Sequence, residues 1–343
     1  MASKNVSVSN DDVTYHTLPG STADLSEEVG TADDSVFGTT FSSIQATLNT
    51  WSSSSNGYFK GFPGYRATLK RAGTPTSFSG EATTEQGGVY YITDRTKSIW
   101  DRTTVTVKDG GSPVNSADID YIDYLQGGVV FVSSYSPSGD ITVDGDYLPT
   151  SPICYAQTFT LTQSADTENV TDFCDAQDNG GYGVFSYNQQ SVELSLDGFF
   201  NEASDFADDL ASRETVIIEV NPDGNNESVA RGYFMVTSRS QSGDVGSTET
   251  ESVTYSLQVP EGIVKPFSWY HASNTSLPKA VKTILDAWEN REELYYRYAT
   301  ENATNRRAGK VLVSDCSLSS GVEDINDFSF DFQGTGELAK EVI

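Results

Sequence analysis

The chain has 343 residues, 11% of them aromatic, and carries 49 Asp and Glu against 21 Lys and Arg, which gives a net charge of −28. Proteins that read nucleic acids use clustered Lys and Arg to neutralise phosphates, so this charge excludes a typical DNA- or RNA-binding protein. The sequence contains no apolar run of the ~20 residues that cross a bilayer, and no signal-peptide pattern at its start. We therefore expect a soluble protein that is made in the cytoplasm and has no membrane contact.

The first half of the chain predicts an arm followed by a β-rich region. Residues 1–55 are rich in Ser, Thr, Asp and Gly, which favours an extended N-terminal arm that is ordered, if at all, by packing on its neighbours. Residues 56–153 contain short strand-like runs separated by turns, such as Tyr121–Leu125 and Val129–Val132 on either side of Gly127-Gly128. These residues predict an N-terminal β-rich domain over 56–153.

The second half contains one pattern twice, in the order strand, helix, strand and hairpin. The first copy is predicted at Val192–Leu196, Ser204–Ser212, Thr215–Val220, Gly232–Ser238 and Val253–Val259. The second copy is predicted at Phe267–His271, Pro278–Asn290, Leu294–Tyr298, Gly309–Val313 and Phe328–Phe332. Gly232 aligns with Gly309, and Val253 aligns with Phe328 after a two-residue gap in the loop. Duplication, with domains at 154–262 and 263–343, is the favoured interpretation; chance similarity of two β-hairpins is the alternative.

Four segments over residues 87–343 carry a family resemblance, namely Phe159–Phe173 with its Val-Thr-Asp-Phe run, Ser191–Phe200, the hairpin Arg231–Val259, and Val89–Phe131. They are similar to the tail tube (major tail) proteins of long-tailed, siphovirus-like phages and related archaeal viruses. The resemblance implies a mainly β fold of duplicated antiparallel β-sandwich or half-barrel domains, each with one short flanking helix, beside the N-terminal β-rich region. The second copy departs from the family in having one clear strand before its helix, so the missing strands are expected from Phe41–Leu48 or Gly64–Lys70.

The resemblance also implies how such a protein works. Inner strands of the family join across subunits, and rings of six domains stack into a hollow tail tube through which viral DNA is delivered. With two domains per chain, a homotrimer with pseudo-sixfold symmetry would close the ring. The implied partners are further copies of the chain, tape-measure and tail-terminator proteins, and DNA in transient, non-adhesive passage. The implied location is the virion tail, assembled in the host cytoplasm, and no enzyme activity is expected.

Two of the predicted strands, Val253–Val259 and Phe328–Phe332, alternate apolar and polar side chains, which is typical of a sheet with one dry and one wet face. Their polar faces contain no Lys, a common protection of free sheet edges, which favours a sheet that closes with neighbours; an ordinary monomeric sandwich is the alternative. The acidity of the chain fits either a lining that repels DNA or adaptation to a saline habitat. The predicted lumen lining is Glu219, Thr254, Ser256, Gln258, Ser329, Asp331 and Gln333. Arg297 departs from this pattern and requires a carboxylate partner.

Two polar, Gly-containing loops occupy equivalent places in the two copies, at Gln241–Ser252 and Leu318–Asp327. Long polar hairpin tips make poor core but can become ordered on contact with another molecule. We predict that they mediate ring-to-ring stacking, through Ser242, Gly243, Asp244, Ser319, Ser320 and Gly321.

The sequence predicts no catalytic, cofactor-binding or metal site. Cys154, Cys174 and Cys316 do not have metal-ligand spacing, although a Cys154–Cys174 disulfide is possible. The acidic runs Asp140–Asp146 and Asp175–Asn179 could hold Ca²⁺ but do not fit the EF-hand pattern, so solvated turns are favoured.

The alternative function is a carbohydrate-binding or adhesive virion protein of a baseplate or fibre. It would need exposed aromatic side chains in a groove, for which Trp269, Trp288 and Tyr295 are candidates. At strand and helix spacing, however, such residues are more often core.

Overall fold

A computed structural model describes residues 4–33, 44–200, 206–245, 248–300 and 305–342. The chain is mainly β and its strand pairs are antiparallel, which confirms the predicted fold class. The strands of the first half are β1 Lys4–Ser9, β2 His16–Thr17, β3 Gly20–Asp33, β4 Ile44–Pro63, β5 Thr68–Ala72, β6 Thr76–Gln86, β7 Val89–Ile92, β8 Thr106–Asp109, β9 Ser112–Pro113, β10 Ile119–Asp123, β11 Gly128–Phe131, β12 Ile141–Tyr147, β13 Thr150–Pro152 and β14 Ala156–Asn169. Those of the second half are β15 Phe185–Phe199, β16 Val216–Asn221, β17 Ser228–Ser242, β18 Thr250–Leu257, β19 Phe267–His271, β20 Leu294–Thr300, β21 Asn305–Gly321 and β22 Ile325–Val342. The α-helices are α1 Phe173–Asp178, α2 Phe206–Ser212 and α3 Lys279–Asn290.

The strands form one 15-stranded sheet and one seven-stranded sheet. The seven-stranded sheet, which we call the small sheet, runs in the order β10-β11-β7-β6-β12-β8-β9 and has its own apolar core around Trp100 and Val143. Its strands lie between β5 and β13 in the sequence. β5 and β13 pair with each other, from Ala72 opposite Thr150 to Lys70 opposite Pro152. The small sheet is therefore an insertion between two paired strands of the large sheet.

The large sheet contains the same arrangement of strands twice. Unit A has the order β13-β5-β16-β17-β18-β15-β14, and unit B has the order β2-β1-β20-β21-β22-β4-β3. The remaining strand, β19, pairs with β17. Each unit also places a helix directly before its third strand, α2 before β16 and α3 before β20.

Irregularities in the strand pairing occur at equivalent places in the two units. The hairpin β14–β15 shifts register after Ala156 and again after Ala165, and the hairpin β3–β4 shifts after Gly20 and after Val29. The hairpin β17–β18 shifts between Val236 and Ser238, and β21–β22 between Val313 and Asp315. Bulges pin the register of a strand pair, so their coincidence identifies the units as structural repeats.

This pairing corrects the predicted alignment of the two copies. The offset between β17 and β21 continues unchanged through the hairpin, because Ser242 pairs with Thr250 and Ser319 pairs with Asp327. Val253 therefore corresponds to Phe330, and the predicted two-residue gap that aligned it with Phe328 is absent.

The N-terminal residues supply the strands that the second copy lacked. Described residues 4–33 and 44–55 lie in the sheet as β1, β2, β3 and most of β4, so the predicted extended arm is ordered there by pairing within the chain. β4 begins at Ile44, inside the segment Phe41–Leu48 that we expected to contribute, and residues 41–43 lie outside the described residues. Gly64–Lys70 instead forms a 3-10 turn and the start of β5, which belongs to unit A.

Strand pairing crosses each predicted domain boundary. β4 continues past residue 55, β5 pairs with β16 across residue 153, and β14 pairs with β21 across residue 262. The four-domain division stays a prediction about independent folding units. Unit B is discontinuous in sequence, since unit A and the small sheet lie between β4 and α3.

Helices α2 and α3 cover the apolar side of the large sheet, whereas α1 has no buried residue. α3 follows Pro278 and buries Ala280, Val281, Ile284, Leu285 and Trp288, the 3.6-residue pattern that predicted it. Its Val281 and Leu285 belong to the same buried apolar cluster as Leu318 of β21 and Phe330 of β22. In unit A, Phe206 of α2 contacts the Tyr255 ring of β18 with a centroid separation of 6.2 Å. The predicted start of this helix, Ser204, lies outside the described residues.

A buried ion pair connects the small sheet to unit A. The Arg231 guanidinium donates from Nε and Nη2 to Oε2 of Glu219 at 2.8 and 2.6 Å, and from Nη1 to the Leu125 carbonyl at 2.8 Å. Lys70 donates to Oε1 of Glu219 at 2.7 Å. Burial opposes ionisation of Glu219, but Arg231 and Lys70 hold its pKa below the ordinary value. The carboxylate therefore fixes the cation that bonds to the small sheet.

Removing this carboxylate should destabilise the chain strongly. Glu219→Ala leaves Arg231 buried without its counter-ion, which typically costs about 3–5 kcal/mol of unfolding free energy. Glu293→Ala is the matched control, because Glu293 pairs with Lys310 at 2.9 Å on the surface, where the expected loss is below about 1 kcal/mol. Urea denaturation followed by tryptophan fluorescence measures both; equal losses would contradict the structural role of the buried pair.

Candidate functional site: the polar face of the large sheet

One set of strands runs continuously through both units. The pairings give the order β17-β18-β15-β14-β21-β22-β4-β3, in which only the C-terminal half of β17 takes part. The two units meet where β14 pairs with β21, from Thr158 opposite Gly321 to Ser164 opposite Asp315. The joint is an ordinary antiparallel strand pair, so the sheet passes from one unit to the other without a break.

Between the register shifts, side chains alternate between the two faces of this set of strands. One face is buried by the helices and core, with Leu161, Leu194 and Phe330 at 2% exposure or less. The other, which we call the polar face, lies opposite the helices. It carries Ser238, Ser240, Ser242, Ser252, Thr254, Ser256, Glu193, Ser195, Asp197, Thr158, Thr160, Thr162, Ser164, Asp315, Ser317, Ser319, Asp327, Ser329, Asp331, Gln333, Ser52, Ser54, Asn56, Thr22, Asp24, Ser26 and Glu28. These positions include no Lys or Arg and carry mainly hydroxyl, carboxylate and amide groups. Met235 and Tyr58 lie on the same face, opposite Ser256 and Asp327.

Burial raises the pKa of two carboxylates at the centre of the polar face, and in one of them a neighbouring carboxylate adds to the effect. Asp315 and Asp331 are directly opposite in β21 and β22. Partial burial raises the pKa of Asp331, and the neighbouring Asp315 raises it further. Burial likewise raises the pKa of Asp315, against a hydrogen bond that Ser164 Oγ donates to its Oδ2 at 2.7 Å. Negative charge is thus concentrated where the two units meet.

Five of the predicted lining residues lie on this face, namely Thr254, Ser256, Ser329, Asp331 and Gln333. Gln258 lies just past the end of β18 and donates its backbone N–H to the Tyr233 carbonyl. The assignment of Glu219 to an open face is wrong, because it is 2% exposed and bonded to Arg231 and Lys70. Sequence reasoning also missed the contributions of β3, β4, β14, β15 and β21.

Arg297 occupies in unit B the place that Glu219 has in unit A. Its guanidinium lies over the Tyr15 ring, 3.4 Å from the centroid, and Nε is 3.5 Å from Oε2 of Glu341. It therefore has the carboxylate neighbour that the sequence required, and it belongs to β20, outside the polar face.

The predicted stacking residues of unit B have another role. Ser319, Ser320 and Gly321 are in β21 and pair with Thr160, Phe159 and Thr158 of β14. Ser320 is 6% exposed. These three residues join the units laterally inside the chain, and their assignment to ring stacking stays a prediction. Ser242, Gly243 and Asp244, the equivalent residues of unit A, are exposed.

The tryptophans and cysteines that were candidates for other sites do not form a binding site in the structure. Trp51, Trp100, Trp269 and Trp288 are all at most 5% exposed, which leaves no tryptophan platform for a sugar. Cys154, Cys174 and Cys316 are free thiols. Within the described ranges, no three His, Cys, Asp or Glu side chains cluster to hold a metal ion, and the helices there are too short or too polar to span a membrane.

Neutralising Asp331 should stabilise the chain in a pH-dependent way. Its raised pKa means that ionisation weakens the fold at neutral pH, so Asp331→Asn should gain about 0.2–1 kcal/mol of unfolding free energy at pH 7. The gain should vanish below about pH 4, where the carboxyl is protonated in folded and unfolded chains alike. Glu193→Gln is the control, since Glu193 faces Thr162 and Ser256 rather than a carboxylate. Thermal melting curves across pH measure the stability of both variants. A gain in stability of Asp331→Asn that persists at pH 3 would contradict charge repulsion as its cause.

Comparison with known proteins gives partial structural similarity. No family model and no curated protein matches the chain. A chain from the virion of a native gene transfer agent particle is similar with 17% identity and a TM-score of 0.30, over 35% of this chain and 88% of that chain. A chain from the tail of an empty gene transfer agent particle with C6 symmetry is similar with 17% identity and a TM-score of 0.30, over 36% and 87%. Similarity of this extent does not assign a function.

Proposed function

We propose that the chain is a structural subunit of a viral tail, whose copies join into rings that stack into a hollow tube for the passage of DNA. The observation that carries the proposal is the polar face, whose positions named above include no Lys or Arg and which continues through two joined repeats. A monomeric protein has no evident need for two repeats whose sheets are paired edge to edge. The resemblance of the sequence to tail tube proteins agrees with this role.

The polar face is the side that should face the lumen. In a ring of directly paired strands, the inner side has the smaller circumference and the outer side has room for a second layer. α2 and α3 form such a layer on the apolar side, against Tyr255, Leu318 and Phe330. The helices therefore belong outside and the polar face inside.

The dimensions suit DNA if three chains close the ring. Each chain contributes the eight strands listed for the polar face, and at about 4.8 Å per strand the backbone circumference is about 115 Å, or about 37 Å across. Strand tilt widens such a barrel further. The resulting channel is wider than a DNA duplex. Carboxylates and hydroxyls on its wall add no phosphate contacts that would hold the DNA.

Stacking of rings should involve the ends of the hairpins. In unit B, Tyr58, Val322 and Ile325 are each more than half exposed at the β21–β22 turn and the neighbouring end of β4. In unit A, Phe199 and Val245 are exposed at the equivalent end. Clustered exposed apolar side chains are typical of contact surfaces. We propose these ends, rather than Ser319, Ser320 and Gly321, as the contact between rings.

The proposed tube can be tested by microscopy and thiol labelling. Concentrated protein should form rings or tubes in negative stain. In a Cys154→Ser/Cys174→Ser background, Ser256→Cys places a thiol on the polar face and Ser112→Cys places one on the small sheet. Assembly should slow the reaction of a bulky maleimide with Ser256→Cys at least tenfold and leave Ser112→Cys unchanged. Monomers at all concentrations, or equal labelling in assemblies, would contradict the proposal.

A second test changes the charge of the wall. Replacing Thr254, Ser256, Ser329 and Asp331 with Lys should make assemblies retain duplex DNA that is protected from nuclease, because each Lys adds a phosphate contact. Retention should fall steeply with salt. The control replaces exposed Ser112, Asp120, Ser133 and Ser134 of the small sheet with Lys, where bound DNA should stay open to nuclease. DNA that is unprotected in both variants would place the polar face outside the tube.

A further inference from the structure

We propose that β3 of one chain pairs with the C-terminal half of β17 of the next chain, in the register that β14 and β21 adopt inside the chain. The proposal rests on the proposed ring and identifies the strands that close it. Its template is the joint between the units, where the last strand of unit A, β14, pairs with the second half of β21 in unit B.

Both partners of this joint have counterparts with an open edge. β3 is the counterpart of β14 and pairs with β4 alone among the described strands. β17 is the counterpart of β21; its pairing with β16 ends at Phe234, and from Ser238 to Ser242 it pairs with β18 on one side. Each chain thus has one edge of each kind, while the equivalent edges inside the chain are already joined.

Exposure along the two edges fits an incomplete joint. The open edge of β17 is exposed at Ser238, Ser240 and Ser242. The counterparts in β21, which has β14 as its neighbouring strand, are half-buried; they are Asp315, Ser317 and Ser319. The edge strand β3 shows the same difference, since Val29 is 53% exposed and its counterpart Ala165 of β14 is 5% exposed. A chain that packed on β3 and β17 would give unit A and unit B the same environment.

The bulges fix the register. Ala156 corresponds to Gly20 and Ser238 to Asp315, so each pair of the internal joint translates into one pair between chains. The predicted pairs are Thr22 with Asp244, Ala23 with Gly243, Asp24 with Ser242, Leu25 with Gln241, Ser26 with Ser240, Glu27 with Arg239, and Glu28 with Ser238. The hydrogen bond that Val322 N–H donates to the Gln157 carbonyl at 3.0 Å would become one from Val245 to Ser21.

The chemistry of the two edges is compatible in this register. No carboxylate faces another carboxylate in these pairs, and Glu27 would face Arg239. Arg239 already binds Glu251 and Arg307 already binds Glu27 within the chain, so the opposite-charge pair would extend two existing ion pairs. Polar residues of the two strands meet on the polar face, so the wall would continue from chain to chain. Neither edge contains Pro or Lys, the usual protections against pairing between molecules.

The two edges differ, so each contact is head to tail. Head-to-tail contacts form a closed ring when the rotation per subunit divides a full turn, and an open helix otherwise. The rotation from one chain to the next would repeat the rotation from unit A to unit B inside the chain.

Cysteine cross-linking tests the register. In a Cys154→Ser/Cys174→Ser background, the variants Ser26→Cys/Ser240→Cys and Leu25→Cys/Gln241→Cys probe adjacent pairs. Adjacent pairs of an antiparallel ladder alternate in type, so one of the two has the closer Cα separation of about 4.5 Å. Oxidation should give disulfide-linked multimers, at least tenfold above the control Thr22→Cys/Ser240→Cys, in which the thiols are four residues, or about 13 Å, out of register.

Mixing tests the direction of the contact. A chain with Ser26→Cys and a chain with Ser240→Cys should form disulfide-linked dimers together, and neither should do so alone. Rings or tubes in negative stain without in-register cross-links, or with equal cross-linking of the control pair, would overturn this pairing and leave the proposed tube standing. Absence of both assemblies and cross-links would overturn both proposals.

Discussion

The pairing of β14 with β21 is the constraint on which the rest of the large sheet depends. It places Leu161 opposite Leu318 on the buried side and Thr160 opposite Ser319 on the polar side. A slip of one residue would exchange these faces along the whole joint. Because register shifts on both sides of the joint fix the strands, the polar face stays continuous across two units that are far apart in sequence.

Equivalent positions of the two units carry opposite charges, Glu219 in unit A and Arg297 in unit B, because different parts of the chain pack on them. In unit A the small sheet covers the ends of β16 and β17, and the buried Glu219–Arg231 pair bonds to it. In unit B the six residues between β1 and β2 take the place of the small sheet, and Tyr15 from this turn stacks on Arg297. A buried ion pair requires full compensation by bonds, and only unit A has the additional partners that supply it.

Elements with strong local signals could be predicted from the sequence, and elements defined by distant pairing could not. Phe267–His271 coincides with β19, and the predicted helix from Pro278 differs from α3 by one residue, since proline and apolar spacing mark it locally. Only the start of β4 was expected, from Phe41–Leu48. The rest was missed because its inward positions include Ser53 and Ser55, which are buried and donate to β3 carbonyls, so the strand lacks apolar alternation. Glu219 was misplaced for the opposite reason. Every residue of β16 is buried, so alternation there does not indicate which side is wet.

The composition of the edges and the wall follows from one requirement. A soluble chain with two open strand edges would normally carry Lys there to prevent association, but Lys on this sheet would bind the DNA that we propose passes along it. Acidic residues resolve the conflict, since Glu27 and Glu28 on β3 add to a net charge of −28 that keeps free chains apart. This repulsion is screened by salt within about 8 Å at physiological ionic strength, whereas strand pairing acts at contact. Salt should therefore favour association of the chains without making the wall adhesive, a combination that a basic edge could not provide.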